Sequence, residues 1–313
     1  MTARALVDRG GTLIGLALVA AIFGSLIGAQ FFAPGNLELM ARQTAIVGMA
    51  ALGMTMVIVA GGIDLSVGSV IALSTVVIAL LLKGDHGPWV AALGGIGAGA
   101  ICGLANGLLI TRLRVVPFIV TLGTMLIVRG AAKGLADERR IEAPTTWLND
   151  LLRSGAGGTW LPAGIWLVVV LALVMGGVLG YTRFGRHLFA IGSNERMARL
   201  CGVRVERRKV AMYAAAAACA GAAGLLQFSK LSVGDPTVAS GLELDVIAAV
   251  IIGGGSLSGG RGTVAGTLVG ATIMTLIQIG CSQRGLPNWV QQIVTGGIIV
   301  AAVALDRVRS ARS

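Results

Sequence analysis

The chain has 313 residues, 55% of them hydrophobic and 12% charged, with 48 glycines, a net charge of +11 and a mean hydropathy of +0.86. A soluble domain carries about 25% charged residues, and one this apolar would expose large sticky patches. Disorder is excluded by the hydrophobicity, collagen by aperiodic glycines and only 7 prolines, and a transmembrane β-barrel by continuous apolar runs such as residues 161–180. What remains is an all-α polytopic membrane protein, expected as a single transmembrane domain over residues 1–313, with every backbone group satisfied inside its own helix.

About 20 helical residues cross about 30 Å of hydrocarbon. In chain order, spans are expected near residues 11–33, 43–60, 66–82, 88–111, 115–132, 161–181, 210–229, 242–257, 263–281 and 287–305, about ten transmembrane helices. The first follows Arg4 and Arg9 as a secretory signal would. It is too long for one and no small-residue cleavage site follows, so it reads as an uncleaved first helix. Between the second and third spans lies GGIDLSVGS, Gly61–Ser69. Asp64 is its most informative residue, because an acid between apolar spans is costly unless paired, hydrated or near a surface. It reads as part of a transport path, as a cap with Ser66 on the N–H groups that open the third span, or as both. The fourth span sets Gly95, Gly99, Gly103 and Gly107 on one face, beside Asn106. Gly262, Gly266 and Gly270 repeat the pattern in the ninth. Such rows admit close backbone approach in lipid, and are read here as static packing in preference to a sliding contact.

Two polar stretches separate the halves, residues 133–160 and 182–209. The second contains a short amphipathic helix with Ser193 or Asn194 as N-cap, Glu195 in its first turn, Arg199 near its end and Gly202 as its stop. Met197, Leu200 and Cys201 give it an apolar face that needs a partner or the bundle. After the eighth span comes GGGSLSGGRG, Gly253–Gly262. Shifted by 192 residues, Gly61, Gly62, Leu65, Ser66 and Gly68 superimpose on Gly253, Gly254, Leu257, Ser258 and Gly260, with Ser256 between them. A matched break in each half points to a substrate path lined by unwound backbone; the plain alternative is a pair of tight turns at the membrane surface. Asp245, with Glu243, is expected as a solvated acid at the outer end of the eighth span.

With both termini placed in the cytoplasm, the inside segments hold 16 basic residues against 5 acidic ones, and the outside segments 9 of each. The whole net charge therefore falls on the cytoplasmic face, so the pI of 10.7 reports topology and not a nucleic-acid partner. Residues 182–209 then lie inside and 133–160 outside. Other chemistries find no support. No lysine follows a glycine, so there is no phosphate-binding loop; G-x-G-x-x-A at Gly95, Gly97 and Ala100 lies in mid-span with no strand before it. H-E-x-x-H and G-x-S-x-G are absent. The four cysteines lack C-x-x-C spacing and read as small apolar fillers, and His86 and His187 fall in polar loops, so no metal site, cofactor or enzyme is expected.

Gly61–Ser69 with its continuation VIALS, the stretch 185–213 containing AIGSNERMARLCGV, and LDVIAAVIIGGGSLSGGRGTVAGTLVGA at 244–271 resemble the permease subunits of sugar ABC importers, the ribose/xylose/arabinose/galactose branch. The resemblance runs from about residue 36 to 305. It implies a type II-like ten-helix importer bundle in the bacterial inner membrane, paired with a second permease subunit. It also implies a periplasmic sugar-binding protein outside and a cytoplasmic ABC ATPase inside. The family's ATPase-docking loop falls on Gly192, Ser193, Asn194, Glu195, Ala198, Arg199 and Gly202. This chain reads GSNERMA where the family commonly has G-x-N-P-E-A-A.

A path for a neutral polyol needs hydroxyls and amides more than fixed charge. Candidates in or beside the spans are Gln43, Thr44, Asn106, Thr121, Thr124, Gln278, Gln291, Gln292 and Thr295, each of which also serves as an interhelical hydrogen bonder. The site residues expected for gating are Gly61, Gly62, Asp64, Ser66, Gly68, Asn106, Gly254, Ser256, Ser258 and Gly260. The rival class is an ion-coupled secondary transporter with Asp64 as the proton or sodium site, since broken helices and an intramembrane acid occur there too.

Overall fold

The computed structural model describes residues 3–153 and 161–311, with side chains described for 11–153 and 161–304. The expected loop 133–160 is thus described up to residue 153, and Arg312 lies outside the described residues. Proline stands in the first turn of α2 (Pro34–Val59), α4 (Pro88–Leu113) and α5 (Pro117–Leu135), where its missing N–H costs nothing. The remaining helices are α1 (Ala3–Ile27), α3 (Val67–Lys83), α6 (Ala163–Tyr181), α7 (Arg183–Ser193), α8 (Glu195–Leu200), α9 (Val205–Leu231), α10 (Leu242–Ile252), α11 (Val264–Gln283) and α12 (Asn288–Ala311).

Six of them, α2, α4, α5, α6, α9 and α11, are long and apolar enough to cross a membrane, and Gly11–Ile27, Val67–Lys83 and Asn288–Ala304 are shorter apolar helical stretches. The first expected span, 11–33, stops early. Gly28 leaves helical geometry at φ +83, and a short 3-10 turn (Ala29–Phe32) folds Phe31 back against Phe23, ring centroids 5.9 Å apart. The eighth, 242–257, is only the 11-residue α10, about 16 Å long and half a crossing.

Helix α2 is the axis of the bundle. From Ala45 to Val59 every residue is buried, as a helix apolar on all sides must be, with α9, α10 and α11 packed around it. The buried Thr55 and Thr267 hydroxyls bond at 2.8 Å and tie α2 to α11. The closest pairing is α4 on α9. A Cβ on Gly99 would overlap the Ala217 carbonyl oxygen, one on Gly103 the Tyr213 carbonyl oxygen, and one on Gly107 would lie 2.7 Å from Val210 Cα. From Gly99 to Gly107 the row is therefore filled by the α9 backbone, while Gly95 lies against the Ser74 and Ile78 side chains of α3. Gly266 and Gly270 abut Gly253 and Ala249 of α10 and its break in the same way. By contrast α5 and α6 turn large apolar side chains outward, including Leu126, Ile127, Leu173 and Val174.

A two-stranded antiparallel pair, β1 (Ile141–Glu142) with β2 (Val233–Gly234), joins the segment after α5 to the segment after α9. Beyond β2 the chain folds back into the bundle. Arg129 of α5 donates to the Pro236 and Val238 carbonyls at 3.1 and 2.7 Å, and Asp235 accepts from Thr237 and Arg140.

Candidate functional site at the helix breaks

The two glycine breaks start from one local device. Gly61 N–H bonds the Ile58 carbonyl and Gly62 N–H the Val57 carbonyl, both at 2.9 Å; Gly254 and Gly255 bond Ile251 and Val250 at 2.9 and 2.8 Å. Each is a Schellman cap, with Gly61 (φ +75) and Gly254 (φ +92) in the left-handed position. The structural frame is thus a shift of 193 residues, one more than the alignment by glycines and LS, because the cap and not the downstream serine defines where the helix stops. Past the caps the breaks diverge: residues 60–66 lead straight into α3, whereas 253–263 form a longer loop in which Ser256 N–H bonds the Arg261 carbonyl and the Ser256 and Ser258 hydroxyls pair at 2.8 Å.

Asp64, Ser66 and Asn106 come together. Asp64 Oδ1 accepts from the Ser66 N–H at 2.9 Å and from the Ser66 hydroxyl at 2.6 Å, and Asn106 Nδ2 donates to the Ser66 oxygen at 3.1 Å. All three are buried. Asp64 therefore forms an Asx turn that aims the chain into α3, while the free N–H groups of α3 itself receive no side-chain cap. No ion pair involves Asp64 among the described residues, and its Oδ2, the Asn106 Oδ1 and the Tyr213 hydroxyl have no hydrogen-bond partner among them. Thr121 donates to the Ile63 carbonyl at 3.3 Å and so holds α5 to the same break.

The breaks touch each other at one place, and the segment just past the first break touches the start of α10 at another. At one, Gly260 N–H donates to the Val59 carbonyl at 2.8 Å, and Gly61 faces Ser258. At the other, Gly68 at the start of α3 lies so close to Ala239, before α10, and Glu243, in its first turn, that a Cβ there would overlap both. The first contact carries a third member that sequence reasoning did not anticipate. Gly192, near the end of α7, lies against Val59 and Gly259, and a Cβ on it would overlap the Val59 carbonyl oxygen and meet Gly260 N at 2.6 Å; Ser193 lies against Gly260. No local sequence signal marks this triple contact, which joins three segments far apart in the chain.

The short helix stands where expected. Asn194 is its N-cap, its Oδ1 accepting from Met197 N–H at 3.0 Å, and Gly202 stops it at φ +82. Glu195 pairs with Arg199 at 3.3 Å and Lys209 at 2.7 Å, and Arg199 also pairs with Glu206. Its packed side is Ala198 against Ile191 and Val205. Met197 and Leu200 are exposed, so the expected apolar face points away from the bundle. Cys201 is exposed too and is no core filler; Cys102 is half-buried, Cys219 and Cys281 fully. His187 lies within α7, not in a loop.

Asp245 corrects another expectation. It is buried, not solvated, and accepts from Gln278 Nε2 at 2.6 Å, because the chain before α10 folds inward and carries the start of that helix with it. Of the other polar candidates, Gln43 accepts from Lys230 at 2.6 Å and Thr124 donates to its own helix at Val120, both apart from the breaks.

A bundle of apolar helices with two internally touching discontinuities is the architecture of an integral membrane transport protein. Residues 36–303 match the family described as branched-chain amino acid transport system / permease component, and the chain belongs to that family of permeases. Among its relatives are the ribose import permease protein RbsC of Bacillus subtilis (strain 168), 38% identical over 96% of this chain and 93% of that one, and RbsC of Escherichia coli (strain K12), 36% identical over 94% and 92%. The L-arabinose ABC transporter permease protein AraH of Azospirillum brasilense is 36% identical over 97% of this chain and 89% of its own. No solved structure matches the chain significantly.

Proposed function

We infer that this chain is the membrane-spanning subunit of an ATP-driven importer for a monosaccharide or related polyol. Its ATP is hydrolysed by a separate cytoplasmic ABC ATPase, and its sugar is delivered by a periplasmic binding protein. The named activities of its relatives support the substrate class, and the absence of any nucleotide motif in the sequence supports a separate motor. The chain works in the bacterial inner membrane as one domain, beside a second permease subunit. The six long helices, three shorter apolar stretches and the half-length α10 give ten apolar segments, in keeping with a type II-like bundle. Both termini and residues 182–209 face the cytoplasm, the orientation that the basic residues favour.

One observation carries the mechanism: Gly192 and Ser193, directly before the α8 N-cap, lie on both glycine breaks. The exposed Met197 and Leu200 with the Glu195–Arg199 pair form the ATPase-docking surface. A push on α8 reaches Val59 of α2 and Gly259–Gly260 of the second break with no intervening segment, so closing ATPases tilt α3, α10 and α11 about the caps at Gly61 and Gly254. Asp64, Ser66 and Asn106 hold the first hinge in register.

The test is Glu195→Ala with Arg199→Ala in the assembled transporter. ATP hydrolysis should persist while sugar uptake falls at least tenfold, and the detergent-purified permease should melt near its parent temperature. Wild-type uptake in that double variant overturns the coupling role. Uptake that survives loss of the ATPase but collapses with the ion gradient would instead favour the secondary carrier centred on Asp64.

A further inference from the structure

Gln278, Asp245 and the first two turns of α12 line a groove of about 500 Å3 between α10, α11 and α12, within the size range of small-molecule sites. Its polar lining is Ser240, Asp245, Gln278, Asn288, Gln291, Gln292 and Thr295. The four α12 residues follow i, i+3, i+4, i+7, so they share one face of a stretch, Asn288–Ala304, that is otherwise apolar. A polar stripe on a membrane helix is costly unless it faces protein, water or a polar ligand. This one faces the groove.

Depth follows from the helices themselves. Gly253, at the end of α10, abuts Gly266 near the start of α11, and the two helices run antiparallel from there. Gln278 lies about 21 Å along the 20-residue α11, which spans about 30 Å. Asp245 meets it there, so the groove enters the outer third of the bundle and ends where α10 begins inside it. Half-helices of this kind are where transporters place their binding sites.

We propose that this groove is the sugar subsite of the permeation path, a reading that rests on the importer function above. The chemistry on its walls suits a neutral polyhydroxylated ligand. Among the described residues that line it, Asp245 is the single ionisable side chain and none is basic, so a bound anion would meet no countercharge there. Gln278 spends an N–H on Asp245 Oδ2 and thereby fixes the carboxylate, leaving Asp245 Oδ1 and Gln278 Oε1 to accept from sugar hydroxyls. Gln291 spends an N–H on the Leu286 carbonyl at 2.9 Å, which fixes its Oε1 as a further acceptor, and the Gln292 and Asn288 amides and the Thr295 hydroxyl supply donors. Three helices wall one side only, so the hold is weak, as a path that must release its cargo requires.

The experiment compares uptake of radiolabelled D-ribose, L-arabinose, D-allose and D-fructose in cells carrying the complete transporter with wild-type permease, Gln291→Ala, Thr295→Val or Gln278→Glu. Competition by 2-deoxy-D-ribose reads hydroxyl recognition, and ATPase activity stimulated by the binding protein reads coupling. Gln291→Ala and Thr295→Val should lower uptake at least fivefold and change the ratio of sugar to deoxysugar at least threefold, with stimulated ATPase activity within twofold of wild type. Gln291→Asn should recover part of the loss. Gln278→Glu sets a second carboxylate beside Asp245 and should lower uptake more than either. Unchanged uptake and selectivity overturns the subsite, and so does an equal fall in uptake and ATPase activity, which would mark a structural role. If the wild-type transporter carries no monosaccharide or polyol, the importer reading fails and the subsite with it.

Discussion

Replacing Gly192 by alanine adds one methyl group at the contact between the end of α7 and both breaks. The new Cβ would overlap the Val59 carbonyl oxygen and crowd Gly260 N, so the Gly260 N–H to Val59 bond of 2.8 Å must lengthen or break. Overpacking of a tight contact costs about 1–3 kcal/mol and loss of the bond about 0.5–1.5 kcal/mol. Together they give about 1.5–4.5 kcal/mol, a shift of roughly 10- to 2000-fold in the equilibrium that holds the three segments closed. The detergent-purified variant should melt about 5 °C or more below wild type. In the assembled transporter it should hydrolyse ATP while moving fewer sugars per ATP. Gly97→Ala is the control, since nothing lies within 4 Å of its Cβ direction, and it should match wild type in both measurements. A Gly192→Ala protein with wild-type melting and stoichiometry would refute the idea that this contact transmits the stroke.

Gly103→Leu should prevent α4 from seating on α9, costing about 3 kcal/mol or more, and membrane-inserted protein should fall sharply on immunoblots while Gly97→Leu is tolerated. Asp64→Asn keeps an acceptor for the Ser66 N–H and hydroxyl and should retain most uptake, even with an ionophore present. Asp64→Ala orphans both donors and should lose about 1–3 kcal/mol in thermal unfolding; abolished uptake in the Asn variant would refute a structural role for this acid. Burial, then the nearby Arg208, Arg186 and Arg183, hold the His187 imidazole below its ordinary value of 6.5. Its folded form therefore binds protons less readily than its unfolded form, so stability is undiminished above about pH 6.5 and falls as the pH drops below it. His187→Gln should flatten that acid slope in melting temperature measured from pH 7.5 to 5.

Local patterns were legible wherever the physics was local. The Asn194 cap, the Gly202 stop and the helix end at Gly61 follow from side chains and backbone freedom within a few residues. The row Gly95, Gly99, Gly103 and Gly107 told that a backbone would come close, though not which one. What escaped were properties set by a distant partner. Asp245 looked solvated because Gln278, which receives it, lies on another helix 33 residues on. The inward return after β2 left no mark in hydropathy, so α10 passed for a full span, and the outward aim of Met197 and Leu200 depends on Ala198 finding Ile191 and Val205. Gly192 gave no warning, because a glycine near a helix end already has a sufficient reason to be there.

The four cysteines divide by accessibility in a way that makes the unaltered chain its own orientation marker. Cys201 stands open at the edge of α8, while Cys219 and Cys281 are enclosed and Cys102 is partly shielded. A membrane-impermeant maleimide applied to sealed vesicles will thus tag this thiol first, from whichever compartment bathes the α8 edge. On the proposed docking of an ATPase at α8, the bound partner would shade this thiol, so the tagging rate would also track assembly without any engineered probe.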